Sequence, residues 1–340
     1  NVMTQACGQV FMLVGEGWVL DGAAEAARVA CNLVAVEGFS ASGEFANGPI
    51  QFQGMPSPVD YSPASIEAHV KALFPDQIAN TALVGTTLPG EGLFKAKAIE
   101  AMRKFGYSFL KCDQTLNLAG EPDYTPFAQA LKDCGAQIIY FTGGALPDLS
   151  GLLDAAAGIG YRPVVMTDSQ NYTPAITRWN TKGNGDNIYV RLAFVPFEEA
   201  DKSKAAQDYM SIVRADGGDL SLLGAQAASS FLMWATQAKA CGSGLTRQCM
   251  VNNLSKVADW TGGGMHASTN PAMNLSPSCG MLVRLQGTAF VQTLPADTAT
   301  FDCSPSYLLA NTDPYVAGLG LNANRIVSKF LSASTLKPQP

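Results

Sequence analysis

Short apolar runs alternate with amphipathic stretches along most of this chain, and that alternation constrains the fold more than any other feature. VFMLVG (10–15), LVAVEG (33–38), TALVGT (81–86), YSFLKCD (107–113), AQIIYFTGG (136–144), PVVMTD (163–168) and NIYVRLAFVPF (187–197) read as strands. The stretches 20–32, 62–75, 92–107, 125–135 and 146–161 carry helical periodicity, as do 204–218, 221–242 and 247–260. Pro63 after Ser62 reads as a helix start, and Gly106 and Gly135 read as helix stops. A hairpin about Gln286-Gly287 is predicted over 280–295, residues 39–61 read as a Gly/Ser/Pro loop, and 306–340 is left unplaced. Strands joined through helices pair in parallel, because the right-handed crossover packs the helix back on the sheet. The predicted class is α/β, with parallel sheets flanked by helices.

Of the 340 residues, 47% are hydrophobic and 15% charged, against about 25% charged in ordinary soluble domains. Such a chain buries a large core. The net charge of −6 and the lack of Lys/Arg clusters argue against nucleic acid as a partner. No apolar run approaches the roughly 18 residues of a membrane span. The opening NVMTQACG lacks a basic segment and a cleavage site, so a chain without its signal peptide is expected. The eight cysteines are Cys7, Cys31, Cys112, Cys134, Cys241, Cys249, Cys279 and Cys303. Their even number and neighbourly spacing suggest disulfides, and pairing of sequence neighbours is the simplest scheme. Disulfides imply an oxidising compartment. With two histidines and no C-x2-C pair, no metal site is expected.

Catalytic motifs are weak. GFSAS (38–42) ends in Ser42 where a nucleophile elbow needs glycine, and only His69 and His266 offer a base. VGEGWVLDG (14–22) misplaces the third glycine of a dinucleotide loop and puts Trp18 in its way. No Gly-Lys-Ser/Thr phosphate loop occurs, and no cofactor is expected. What recurs instead is polar or small residues at strand ends, where open parallel sheets bind ligands. The candidates are Glu16 and Trp18 after the first strand, and Glu37, Phe39 and Ser40 after the second. Thr86 and Thr87, Thr142 and Gly143, and Asp168, Ser169 and Tyr172 follow later strands. Turns also favour such residues, so the argument rests on the set.

The order of several segments resembles one family. TALVGTTLPGEGLFKAKAIEAMRKFGY (81–107), DYTPFAQALKDCGAQIIYFTGG (123–144), GLLDAAAGIGYRPVVMTD (151–168), PFEEADKSKAAQDYMSIVRADGGD (196–219) and AQAASSFLMWATQAKACG (225–242) follow, in sequence, the pattern of type I periplasmic solute-binding proteins of the branched-chain amino acid and amide group. The resemblance spans roughly 10–295. It implies a two-lobed, Venus-flytrap architecture: lobe A from 1–80 and 194–266, and lobe B from 81–193 and 267–305. The family's first lobe opens with further strands, so lobe A is expected to be incomplete at its N-terminus. The implied function is extracytoplasmic capture of a small organic molecule, such as an amino acid or aromatic acid, in an interlobe cleft. An ABC-type membrane permease is the implied partner, and no enzyme activity is expected. Asp168 falls near the family's ammonium-binding acid, whereas GEGWVLDG lacks the expected first-lobe serine and EGFSAS supplies Ser40 and Ser42. The alternative is an extracellular receptor domain of the same fold, for which the triplets at Asn171, Asn253 and Asn274 would serve as glycosylation sites.

Overall fold

The computed structural model describes residues 2–88, 91–312 and 314–337. Its strands, in chain order, are β1 Leu13–Val14, β2 Ala35–Glu37, β3 Gln51–Gln53, β4 Tyr61–Pro63, β5 Thr81–Thr86, β6 Gln114–Leu116 and β7 Ile138–Phe141. They continue with β8 Val164–Thr167, β9 Ile188–Leu192, β10 Cys279–Gln286, β11 Ala289–Leu294, β12 Asp302–Cys303 and β13 Leu308–Ala310. Contacts divide the chain into two compact units. Unit 1 comprises Asn1–Pro63, Leu223–Pro277 and Leu308–Pro340, and unit 2 comprises Ala64–Leu222 and Ser278–Tyr307.

Unit 1 holds a parallel sheet ordered β1-β2-β3, and a separate antiparallel pair, β4 with β13. Its core joins Val36 and Phe52 of the sheet, with Val34 just before β2, to Met233, Met250, Val251 and Leu254 of the helices Leu222–Cys241 and Arg247–Leu254. The stretch 39–61, expected as loop, contributes a short helix, Gly43–Ala46, as well as β3 and β4. At three or four residues each, these elements are too short to show a periodicity. Ser62 and Pro63 lie in β4 rather than opening a helix, and the helix begins at Ser65. Residues 2–9, which carry no strong pattern, form a helix tied down by the Cys7–Cys31 disulfide.

The C-terminal stretch packs into unit 1 through polar contacts. Arg325 donates two hydrogen bonds to Asp60, at 2.6 and 2.8 Å, and its guanidinium lies 4.6 Å from the Tyr61 ring centroid. Asn311 donates to Val59 O and Ser62 Oγ. These anchors explain why hydrophobic patterning could not place the segment.

Unit 2 is built on a larger sheet ordered β11-β10-β9-β8-β7-β5-β6, with β12 pairing β10. β5 to β9 run parallel, and β10 and β11 close one edge as an antiparallel hairpin. The hairpin turns at Gly287, whose φ of +57° favours a residue without Cβ. The helix Ser65–Leu73 lays Ile66 and Val70 against Leu83, Tyr140, Met166, Tyr189 and Leu282 of this sheet. That burial groups residues 64–80 with unit 2. The strand expected over 107–113 is not one: Tyr107 is buried below the helix Glu91–Lys104, Phe109 makes an isolated bridge to Thr81, and pairing resumes at Gln114.

Four disulfides join Cys7 to Cys31, Cys112 to Cys134, Cys241 to Cys249 and Cys279 to Cys303, each a pair of sequence neighbours. No helix of the described residues is long and apolar enough to cross a membrane.

Candidate functional site: the carboxyl ends of the two sheets

In unit 1 the parallel register brings the ends of β1, β2 and β3 to one edge, with Glu37 level with Gln53. Gly15, at φ +73°, turns the chain off β1, and Gly38 N donates to Glu16 O at 2.8 Å. Phe39 lies directly over Gly17: a Cβ at that position would stand 2.0 Å from the ring, so only glycine fits. Trp18 projects outward and is 52% exposed. Ser40 is buried and accepts a hydrogen bond from Gln53 Nε2 at 2.8 Å. Asp21, absent from the sequence-derived candidates, pins the EGFSAS loop by accepting from Ala41 N and Ser42 N at 2.7 and 2.9 Å.

Glu16 and Glu37 are neighbours at this edge. Both Glu16 oxygens and Glu37 Oε1 are buried without a hydrogen-bond partner among the described residues. Burial raises both carboxyls above their ordinary range. Glu37 rises furthest, because the neighbouring Glu16 adds its charge. Two neighbouring buried carboxyls disfavour a second charge, so this edge favours the neutral form of one of them.

Unit 1 also contains a Ser/His pair. Ser229 Oγ lies 2.7 Å from His266 Nε2 and accepts from Trp260 Nε1 at 2.9 Å, while His266 Nδ1 lies 2.8 Å from Ala267 O. This network places the histidine proton on Nδ1 and lets Ser229 donate to Nε2. Ser229 is fully buried and His266 nearly so, which depresses the imidazole to about 4. With its ring nitrogens engaged by Ser229 and the Ala267 carbonyl, the buried histidine packs as part of the unit 1 core. His69, in unit 2, is likewise buried, with Nε2 2.9 Å from Asp302 Oδ2.

In unit 2, Thr86, Thr142 and Gly143 come together where β5 and β7 end. Thr142 N donates to Val84 O at 3.0 Å, and a Cβ on Gly143 would stand 2.7 Å from Thr86 Cγ2. Thr87 is exposed and accepts from Leu118 N at 3.1 Å. Asn171 is fully buried, donating to Gly143 O and Thr167 Oγ1 at 3.1 and 2.6 Å. It braces this edge and is no glycosylation site, because an attached sugar has no room there.

Thr167 is level with Val190, so Asp168 and Arg191 stand beside each other one residue further on. Arg191 Nε donates to Asp168 Oδ1 at 3.1 Å, and Nη1 and Nη2 have no acceptor among the described residues. Ser169 opens the short turn Ser169–Asn171 beside them. Behind the pair lies Glu67, buried, with Oε2 unpartnered. Burial pushes its carboxyl up to about 8; Asp168 adds to the rise and Arg191 opposes it. Arg191 and Glu67 were not among the sequence-derived candidates. The lone charge within the apolar run NIYVRLAF was the available signal for Arg191, whereas Glu67 sits in an ordinary amphipathic helix. Tyr172 does not join this group. It is buried against Phe197 and Phe290, and its hydroxyl donates to Glu198.

The family profile described as periplasmic binding protein matches residues 8–289. This chain belongs to the periplasmic binding protein family. Its fold is that of type I periplasmic binding proteins, as solved structures corroborate. A putative branched-chain amino acid ABC transporter protein from Rhodospirillum rubrum is 15% identical, with 86% of this chain and 83% of that one covered and a TM-score of 0.65. A branched-chain amino acid ABC transporter protein from Thermus thermophilus, solved with bound valine, is 12% identical, with coverage of 90% and 82% and a TM-score of 0.70. A solute-binding protein from R. palustris, in complex with 4-hydroxybenzoate, is 16% identical, with coverage of 85% and 79% and a TM-score of 0.66. At such identities the likeness establishes the fold and not the ligand. No curated protein sequence matches the chain.

Proposed function

We propose that this protein captures a small organic acid or amino acid outside the cytoplasm and delivers it to an ABC-type permease. The observation that carries the ligand class is Arg191 at the end of β9: one nitrogen is held by Asp168 and two remain unspent. A guanidinium fixed on one side and open on the other suits a carboxylate, which takes two parallel N–H donors. Asp168, 39% exposed in its side chain, is placed to receive an ammonium group of the same ligand. Thr86, Thr142 and Gly143, at the ends of β5 and β7 in the same sheet, supply further polar groups. Four disulfides support an oxidising compartment. The chemistry is reversible capture, with specificity set by hydrogen bonds and ring contacts and no covalent step.

Native mass spectrometry of the purified protein, followed by analysis of any released molecule, tests the reading. A stoichiometric carboxylate, released unchanged, is the expected result. Should none co-purify, a calorimetric panel of amino acids and organic acids follows. The absence of any carboxylate ligand in that panel, or chemical conversion of one, would overturn the reading.

A further inference from the structure

Unit 2 contains a cavity of about 250 Å³, lined by Tyr172, Phe197 and Phe290 with Thr173, Arg214 and Leu220. The Tyr172 ring centroid lies 5.1 Å from that of Phe197 and 4.9 Å from that of Phe290, so one wall is aromatic. Aromatic surfaces of this kind attract another ring in an offset or tilted arrangement. The polar groups of the cavity divide into spent and unspent. Glu198 is spent: its two oxygens accept from Tyr172 OH and Phe290 N. Tyr172 OH is spent as well, since it also accepts from Phe197 N at 2.6 Å. Thr173 Oγ1 is buried without a partner, and the Arg214 guanidinium has no acceptor among the described residues. The groups left for a ligand are thus a buried hydroxyl and a solvent-facing cation, while the acid already accepts two hydrogen bonds.

We infer that this cavity is a second ligand site, separate from the strand-end residues, that takes a small aromatic carboxylate with its ring against Tyr172, Phe197 and Phe290 and its charge on Arg214 and Thr173. A benzoate-sized molecule suits the volume, whereas an amine would meet only the spent Glu198 and the repelling Arg214. The site does not depend on the solute-capture reading, because none of its lining residues belongs to the Asp168–Arg191 group.

The test is calorimetry and saturation-transfer NMR with benzoate, using cyclohexylmethanol and benzylamine as controls. Each probe is titrated into the native disulfide-bonded protein and into the variants Arg214→Ala, Thr173→Val and Arg191→Ala. Arg214 is exposed, so its replacement leaves the fold intact. The expected result is that benzoate binds, that Arg214→Ala weakens it about tenfold or more, that Thr173→Val weakens it by a smaller factor, and that the Arg214-dependent component of binding persists in Arg191→Ala. Intermolecular transfer from Phe290 and Tyr172 ring protons to benzoate is expected in the native protein. Three outcomes overturn the inference: no benzoate binding at 10 mM (roughly the weak limit for a ligand of this size), binding lost on Arg191→Ala but kept on Arg214→Ala, or benzylamine binding as well as benzoate.

Discussion

Two arginines, one in each unit, show how the same side chain serves architecture or ligand chemistry according to what surrounds it. Arg28 of unit 1 is fully buried and wholly spent. It gives two hydrogen bonds to Glu25, at 2.7 and 2.6 Å, and others to the carbonyls of Leu33, Pro49 and Ile50. It thereby ties the helix Gly22–Ala30 to the entries of β2 and β3. Arg191 of unit 2 is 13% exposed in its side chain and uses one nitrogen. The first holds a sheet together, and the second has donors left for a ligand. The acids differ in parallel. With Arg28 committed to Glu25, Glu16 and Glu37 have no directly paired cation and burial raises both, whereas Asp168 keeps a direct cationic partner. A buried charge persists where its partner is fixed, and is neutralised where it is not.

The comparison is broken most severely by Arg28→Ala. This removes the guanidinium donors from Glu25 and from the Leu33 and Pro49 carbonyls, and removal of one member of a buried pair costs about 3–5 kcal/mol. Hydrogen exchange read by mass spectrometry should show protection lost across β1, β2 and β3. If those strands keep native protection, the architectural role of Arg28 is wrong. Arg191→Ala should do the converse. Urea unfolding should shift by less than about 1 kcal/mol, while affinity for the carboxylate solute falls by about ten- to a hundredfold, as for a lost charge-assisted pair. A comparable loss with Arg191→Lys would sharpen the case for bidentate recognition, and full retention would reduce Arg191 to a point charge.

The acids give a pH dependence of defined sign. Glu37 and Glu16 are raised in the folded chain, so the folded state holds protons that the unfolded chain releases above its ordinary carboxylate range. The stabilisation is fully present below about pH 4.5. It is lost as pH rises through the raised values. Glu67, pushed up to about 8, follows the same sign in unit 2. Glu37→Gln should therefore flatten the fall in urea midpoint between pH 5 and 8, and Glu67→Gln should flatten it separately. Unchanged slopes in both variants would mean that neither acid holds its proton. The smallest effect is expected from Asp219→Ala. Its pair with Arg178 is exposed on both sides, at 60% and 75%, and should contribute less than about 0.5 kcal/mol by thermal unfolding.

Much of this molecule was legible in the sequence. β5 falls on the expected residues 81–86, and β7, β8 and β9 lie within the runs that predicted them, because buried parallel strands need continuous apolar sequence. The resemblance to periplasmic solute-binding proteins came from the order of those segments. The short β3 and β4, the helix at residues 2–9 and the docking of 306–340 were not legible, since three-residue strands and hydrogen-bonded anchors leave no periodic trace. Thr86, Thr142 and Gly143 were legible as strand-end residues, and the register brings them together. Tyr172 was legible as an aromatic in the same loop, yet the chain turns it toward Phe197 and Phe290.

The sequence by itself determined the α/β class, the run of parallel strands in unit 2 and the neighbour spacing of the cysteines. These depend on local composition and on separations along the chain. Only the tertiary structure decided that Arg191 stands beside Asp168, that Glu16 meets Glu37, and that Ser229 and His266 form a buried knot. Those pairs are 23, 21 and 37 residues apart. Their charge states and accessibility arise from packing, which no local pattern encodes: an ionisable group's behaviour is set by the solvent it loses and the partner it gains, and both are supplied by distant parts of the fold.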